Sequence, residues 1–280
     1  MPVIETQRDD IRALRGVHLF HFATSNCSQR VRFTLEETGV GWTSHHINLI
    51  KCENATAEFV AINPKGVVPV LVHDGITIVE SNDIIRYVDE QFGGSALTPE
   101  AGMDRDYLEE SLQHSSHFQA ALKLLTHEFL FKPLRRMNER QLEDYTNGTG
   151  NSELAGFMRE FSSSQGFAHE RISLATQEAQ DMLGSLEARL ETHRWLSGQL
   201  FGLADISWVV NLHRMGHMHY PLAPFPGVQD WLTRTRARPA FRAAISRYES
   251  SGTIAIFNTY SIVRRLQRSS VRSYISELRS

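Results

Sequence analysis

The chain has 280 residues, 41% hydrophobic and 22% charged, and 29 Lys+Arg against 32 Asp+Glu leave a formal net charge of −3; that composition excludes a disordered or fibrous chain and gives no whole-molecule attraction to nucleic acid. With only Cys27 and Cys52 present, a disulfide framework is excluded and a reducing compartment is expected. No apolar run approaches the ~20 residues that span a bilayer, and the opening MPVIETQRDDIRALRG lacks a signal-peptide core, so a cytoplasmic protein is expected.

VHLFHF (17–22) predicts a first strand; from Gln29 a helical period follows through Val31, Phe33 and Leu35 to a stop at Gly39. Residues 43–50 (TSHHINLI) alternate as a second strand, and Phe59, Val60 and Ile62 suit a short helix closed by Asn63-Pro64. Two β-rich runs flank Asp74-Gly75, a hairpin signal, before Ile84, Ile85, Tyr87 and Val88 mark a helix running to Gly93-Gly94. The order β-α-β-α-β-β-α implies a parallel pair joined through a helix, with an antiparallel hairpin at its edge. After Thr98-Pro99 strand signals vanish: 104–132 and 167–193 each predict a long amphipathic helix, and the Gly/Asn/Ser-rich 147–156 is expected to be a loop or lid. Further helices are expected from Leu203, Val228 and Arg238-Pro239. The fold class is α/β followed by all-α, with domains at 17–98 and 102–260, an N-terminal extension (1–16) and a basic tail (261–280). The tail carries five arginines against one acid and reads as an extra amphipathic helix, a partner contact or a frayed end.

Three segments of the first domain bear on chemistry. Ser25-Asn26-Cys27-Ser28-Gln29-Arg30 lies at a helix N-terminus, where unpaired N–H groups and about half a positive charge favour an anion such as a thiolate; the same residues also serve as plain caps. In Asn63-Pro64-Lys65-Gly66-Val67-Val68-Pro69-Val70 a proline enters a strand, either trans at the strand start or cis with the Val68 backbone open to an extended peptide. Glu80-Ser81-Asn82-Asp83 opens the domain's last helix, as a cap or as a carboxylate holder.

In this order the segments resemble the glutathione-binding domain of the soluble glutathione transferases, a thioredoxin-like fold followed by a helical domain; the likeness runs from about Val17 to about Tyr248. SNCSQRVRFTLEETGV is similar to the zeta-class signature, with Asn26 in place of its second serine. The resemblance implies that Ser25 donates a hydrogen bond to the glutathione thiolate, with Asn26 second, Thr24 in a theta-like register and Cys27 or Ser28 in a β-etherase-like one as alternatives; in the first register Cys27 is a partly buried structural thiol at the glutathione site. It also implies that Val68 pairs with the cysteinyl backbone ahead of a cis Pro69, and that Glu80 and Ser81 hold the γ-glutamyl end. Many members have Gln where this chain has Val67, so Lys51, Lys65 or the backbone is expected to compensate.

In the helical domain the resemblance implies an electrophile site lined by His114, Ser115, Phe118 and Trp208, core packing being the alternative for Phe118. The family's buried capping box falls on Phe201-Gly202-Leu203-Ala204-Asp205, with Gly202 a weakened cap and Asp205 a folding residue. The helix spacing resembles the bacterial β-etherases and dichloromethane dehalogenases. The expectation is a homodimeric glutathione transferase with glutathione as co-substrate and a small hydrophobic or aromatic electrophile, cleaving β-aryl ethers or carbon–halogen bonds; a zeta-like isomerase and a non-catalytic binding protein are the alternatives. His213-x3-His217-x-His219 has metal-compatible spacing, but no carboxylate or thiol is near in the sequence, so surface histidines and no metal are expected.

Overall fold

The computed structural model describes residues 3–6 and 8–278, which form two compact units: residues up to Gly94 with Arg135–Gly166, and Ser95–Leu134 with the chain from Phe167. The first is the α/β, thioredoxin-like unit. β2 (Val17–His21) runs parallel to β3 (Trp42–His46) through the crossover helix α2 (Asn26–Thr38), and antiparallel to β4 (Val70–His73). β4 turns into β5 (Ile76–Ile78) through Asp74 and Gly75, whose φ values of 49° and 82° are those of a tight hairpin turn. Gly75 is further required because a Cβ there would lie 2.3 Å from the Arg12 carbonyl oxygen. The expected parallel pair and hairpin are thus both present.

Two sequence expectations change in the sheet. The N-terminal stretch is part of the sheet: β1 (Val3–Ile4) pairs antiparallel with β5, giving the order β1-β5-β4-β2-β3. α1 (Asp9–Arg12) then buries Ile11 with Phe20, Phe59, Ile62, Val70 and Val72. β3 stops at His46 rather than continuing to residue 50, because Asn48 Oδ1 draws in the N–H groups of Ile50 and Lys51 at 3.0 and 3.1 Å and turns the chain. α3 (Ala57–Val60) and α4 (Ser81–Phe92) complete the α/β part.

The 147–156 stretch is not a loop or lid. It joins α8 (Glu139–Gly148) to α9 (Ser152–Ser162), whose Phe157, Met158 and Phe161 are buried. Its polar residues are caps: Asn151 Oδ1 accepts the Leu154 N–H at 3.0 Å, as Asn138 Oδ1 accepts that of Gln141 at 2.9 Å.

In the helical unit, the single helix expected over 104–132 is segmented into α5 (Met103–His117), α6 (Gln119–Thr126), a π turn (His127–Phe131) and α7 (Lys132–Arg135). The wider turn accompanies a buried acid, since Glu128 Oε1 accepts from Lys132 Nζ at 2.9 Å and Arg264 Nη1 at 2.8 Å. α10 (His169–Leu190), α11 (Leu203–His217), α12 (Pro226–Arg236) and α13 (Pro239–Ala244) follow. α14 (Ser251–Leu266) and α15 (Val271–Glu277) make the expected tail helical, and residue 261 falls inside α14.

Gly202 is not a weakened cap. Ser197 Oγ, from the preceding turn, accepts the Ala204 N–H at 3.2 Å and replaces the missing side-chain cap. A Cβ on Gly202 would sit 2.3 Å from the Leu97 carbonyl oxygen and 2.7 Å from Ser197 Oγ, so only glycine fits without a shift. Gly202→Ser, although it restores the family's usual residue type, is therefore expected to destabilise by about 1–3 kcal/mol, read as a lower urea midpoint with an unchanged slope.

Candidate active site

The sheet register brings the three segments to one end. Phe20 pairs with Val70 and Leu71 with Ile78, so β2 leaves toward Ser25, β4 arrives from Val68–Pro69 and β5 leaves toward Ser81 at the same edge. Ser25 is the N-cap of α2, and its Oγ accepts the Ser28 N–H at 3.3 Å. A hydroxyl has one proton and two lone pairs, so capping leaves the O–H of this half-buried side chain available. Ser28 has 0% exposure and its Oγ accepts the Phe22 N–H at 3.3 Å, which makes it part of the framework. Asn26 is buried, whereas Thr24 and Cys27 are half-buried.

The loop entering α2 is held by Arg32. Its Nη2 donates to the Ala23 carbonyl at 2.8 Å, and its Nη1 to the Phe22 carbonyl at 3.2 Å and to His21 Nδ1 at 3.0 Å. That assigns the His21 proton to Nε2, which donates to Ser44 Oγ at 2.8 Å. On the same helix, Arg30 Nη1 donates to Ser81 Oγ at 2.8 Å. Both arginines are buried; burial pulls the Arg30 guanidinium down, opposed by the neighbouring Cys27. The motif had drawn attention to Ser25, but it carried a signal for the arginines too. With Val31, Phe33 and Leu35 all in the core, Arg30 and Arg32 cannot both face water.

Asn54 Nδ2 donates to the Gly66 carbonyl and Asn63 Nδ2 to that of Val67, each at 2.8 Å, pinning the loop before the cis Val68–Pro69 peptide. Lys65 Nζ reaches Glu80 Oε1 at 2.5 Å, uniting two expected site residues, while Lys51 is exposed. Glu80 has φ 65° and ψ 111°, a conformation that costs on the order of 1–3 kcal/mol and is found at ligand clamps. It delivers Ser81, 8% exposed, to the first position of α4.

Of the four residues expected at the electrophile site, Ser115, Phe118 and Trp208 lie inside the helical unit. Ser115 Oγ meets Ser207 Oγ at 2.5 Å, Trp208 Nε1 donates to Ser111 Oγ at 2.8 Å, and the Phe118 ring lies 5.9 Å from that of Trp208. His114 is exposed.

The expectation for the histidines is corrected. A carboxylate does join them: Glu249 Oε1 accepts from His213 Nε2 at 2.8 Å and from His217 Nε2 at 3.0 Å, and His213 is buried. Burial raises the Glu249 carboxyl, but the two histidine bonds outweigh it and hold the group below its usual range. Arg236 Nη2 donates to His213 Nδ1 at 3.0 Å, which commits the Nε2 proton to Glu249 and takes away the lone pair a metal would need. This is a hydrogen-bonded clasp between α11 and the segment before α14.

Burial, reinforced by Arg32, pushes His21 from 6.5 down to about 3. The neutral ring is thus the native form; its stability contribution is complete above pH 6.5 and is lost as pH falls toward 3, by up to about 1.4 kcal/mol per pH unit. Urea midpoints measured between pH 7 and 4 are expected to fall, and to fall less steeply in His21→Asn, which cannot titrate.

The glutathione S-transferase N-terminal domain family model matches residues 19–96, and the C-terminal domain model matches 166–234. The glutathione S-transferase TCHQD of Arabidopsis thaliana is 24% identical over 254 residues, covering 83% of this chain and 90% of the relative. The β-etherase LigF of Sphingobium sp. strain SYK-6 superposes with a TM-score of 0.74 at 24% identity, over 82% of this chain and 99% of LigF. The theta class glutathione S-transferase of Xanthomonas axonopodis pv. citri, solved with glutathione bound, superposes at 0.60 and 23% identity, over 83% and 98%. No helix among the described residues is long and apolar enough to cross a membrane. With the N-terminal and C-terminal domain models of one family matched in order on a single polypeptide, the chain belongs to the glutathione S-transferases.

Proposed function

We propose that this chain activates glutathione as its thiolate and transfers it to a small hydrophobic or aromatic electrophile, with β-aryl ether cleavage or dehalogenation as the reaction class. The observation that carries this reading is the meeting of Ser25, Val68–Pro69 and Glu80-Ser81 at one end of the sheet. A free thiol with pKa ~8.5 is only a few per cent ionised at neutral pH. The Ser25 O–H and the N-terminus of α2 stabilise the sulfur anion, each unit of lowering corresponding to about 1.4 kcal/mol. Serine acts as a donor to the thiolate and not as a covalent nucleophile. The Val68 backbone pairs with the cysteinyl residue, Glu80 takes the γ-glutamyl amine, and Ser81 with the first-turn N–H groups of α4 takes its carboxylate.

The candidates for the electrophile lie in the helical unit, where His114 is exposed and Ser115, Phe118 and Trp208 are buried. The LigF likeness favours the ether reading. A cytoplasmic homodimer completes the proposal. Calorimetric titration is expected to show saturable glutathione binding, and no saturation up to millimolar concentration would overturn the reading. One glutathione consumed per product separates transfer from zeta-like isomerisation, which consumes none.

A further inference from the structure

We propose that Arg30 is a positioning residue for the anionic end of glutathione, acting through Ser81 without touching the ligand. The inference rests on the function proposed above and names a group that neither the fold nor the motif assigns.

Arg30 is 1% exposed, and its Nη1 lies 2.8 Å from Ser81 Oγ. A guanidinium only donates, whereas a hydroxyl carries one proton and two lone pairs. Ser81 Oγ must therefore accept from Arg30, and its own proton is left to donate away from the guanidinium. Ser81 is the first residue of α4 and is 8% exposed. The proton is thus presented beside the N–H groups of the first helical turn, where a carboxylate is favoured. Behind it stands a buried positive charge, kept out of water and little screened. A charged donor also strengthens the next hydrogen bond in the chain by polarising it. Arg30 thus serves two ends: it decides which way Ser81 donates and it adds the countercharge for the carboxylate.

A purely structural role, stapling α2 to α4, predicts something different. It would lower stability and weaken every ligand alike. The test compares glutathione with 4-aminobutyryl-cysteinyl-glycine, which lacks only the γ-glutamyl α-carboxylate, by calorimetry on the full chain. Arg30→Met is expected to weaken glutathione by about 10- to 100-fold, the range of a charge-assisted hydrogen bond, and the analogue by less than about threefold. In a Ser81→Ala background Arg30→Met is expected to cost clearly less than it does alone, because the part that runs through the hydroxyl is already gone and only the countercharge remains to be lost. Arg30→Lys, which keeps the charge, is expected to recover part of the discrimination, and it replaces Arg30→Met throughout if circular dichroism shows that variant unfolded.

Equal losses for both ligands, or additive losses in the double variant, would overturn the role of Arg30 while the transfer reading stands. Failure of the unmodified protein to bind glutathione at all would overturn the transfer reading and this inference with it.

Discussion

Asp205→Ala is expected to lower the unfolding free energy by about 3–5 kcal/mol, the range found when one partner of a buried charged network is removed. Asp205 has 0% exposure, and its carboxylate organises the turn before α11. Oδ1 accepts from the Leu196 N–H at 2.8 Å and Trp231 Nε1 at 2.7 Å, while Oδ2 accepts from the Ser197 N–H at 3.1 Å and the Gly202 N–H at 3.0 Å. Alanine strands all four donors away from water, and each unmet buried group costs about 1–3 kcal/mol before relaxation. Asp205→Asn is expected to lose about half as much: its oxygen can keep the Leu196 and Trp231 bonds, but its amide then faces the donors of Ser197 and Gly202. Native stabilities of ~5–15 kcal/mol make the alanine loss a large fraction of the whole. Chemical denaturation with an unchanged slope is the measurement; a loss below about 1 kcal/mol would show that this network does not hold the fold.

Ser25→Ala is expected to reduce kcat by about 10²-fold, the scale for removing one donor to a developing or stabilised anion. Glutathione affinity is expected to change by less than about threefold, because the γ-glutamyl and backbone contacts remain. The kcat/KM–pH profile is expected to move up toward the free-thiol pKa of ~8.5. Ser25 also caps α2 through the Ser28 N–H, so alanine costs about 1 kcal/mol of stability as well. Ser25→Asp separates the two effects. It keeps the cap but places an anion against the sulfur, so it is expected to be as stable as the parent chain and inactive. An unchanged kcat in Ser25→Ala would move the role to Thr24 or Asn26.

The strand and helix order of residues 17–92 is legible because hydrophobic periodicity and turn chemistry are local. Asp74-Gly75 announces its hairpin, and Gly39 stops α2. Where the sequence misled, a polar residue had two physical uses. Asn151 and Ser152 look like a loop because cap residues and loop residues are the same set, and here they start a helix with one buried apolar face. Similarly, Val3-Ile4 is too short to register as a strand, and only its pairing with β5 makes it one. The 104–132 run reads as one helix because its apolar spacing is continuous, whereas the π turn accompanies Glu128 meeting Arg264 more than a hundred residues later.

The candidate site divides the same way. Neighbouring residues alone set the β-α-β-α-β-β-α order of residues 17–92, the cap-forming serine at the start of α2, the proline entering β4 and the Glu-Ser pair at the start of α4. Composition, by contrast, was silent on all of them. It takes the packed chain to bring these points to one end of the sheet, to turn Arg30 and Arg32 inward onto Ser81 and the loop before Ser25, to set the Leu97 carbonyl against Gly202, and to close Glu249 on His213 and His217. Those outcomes depend on strand register and on helices packing across long separations in the chain. A buried charge or a close backbone approach exists only once both sides have been brought together.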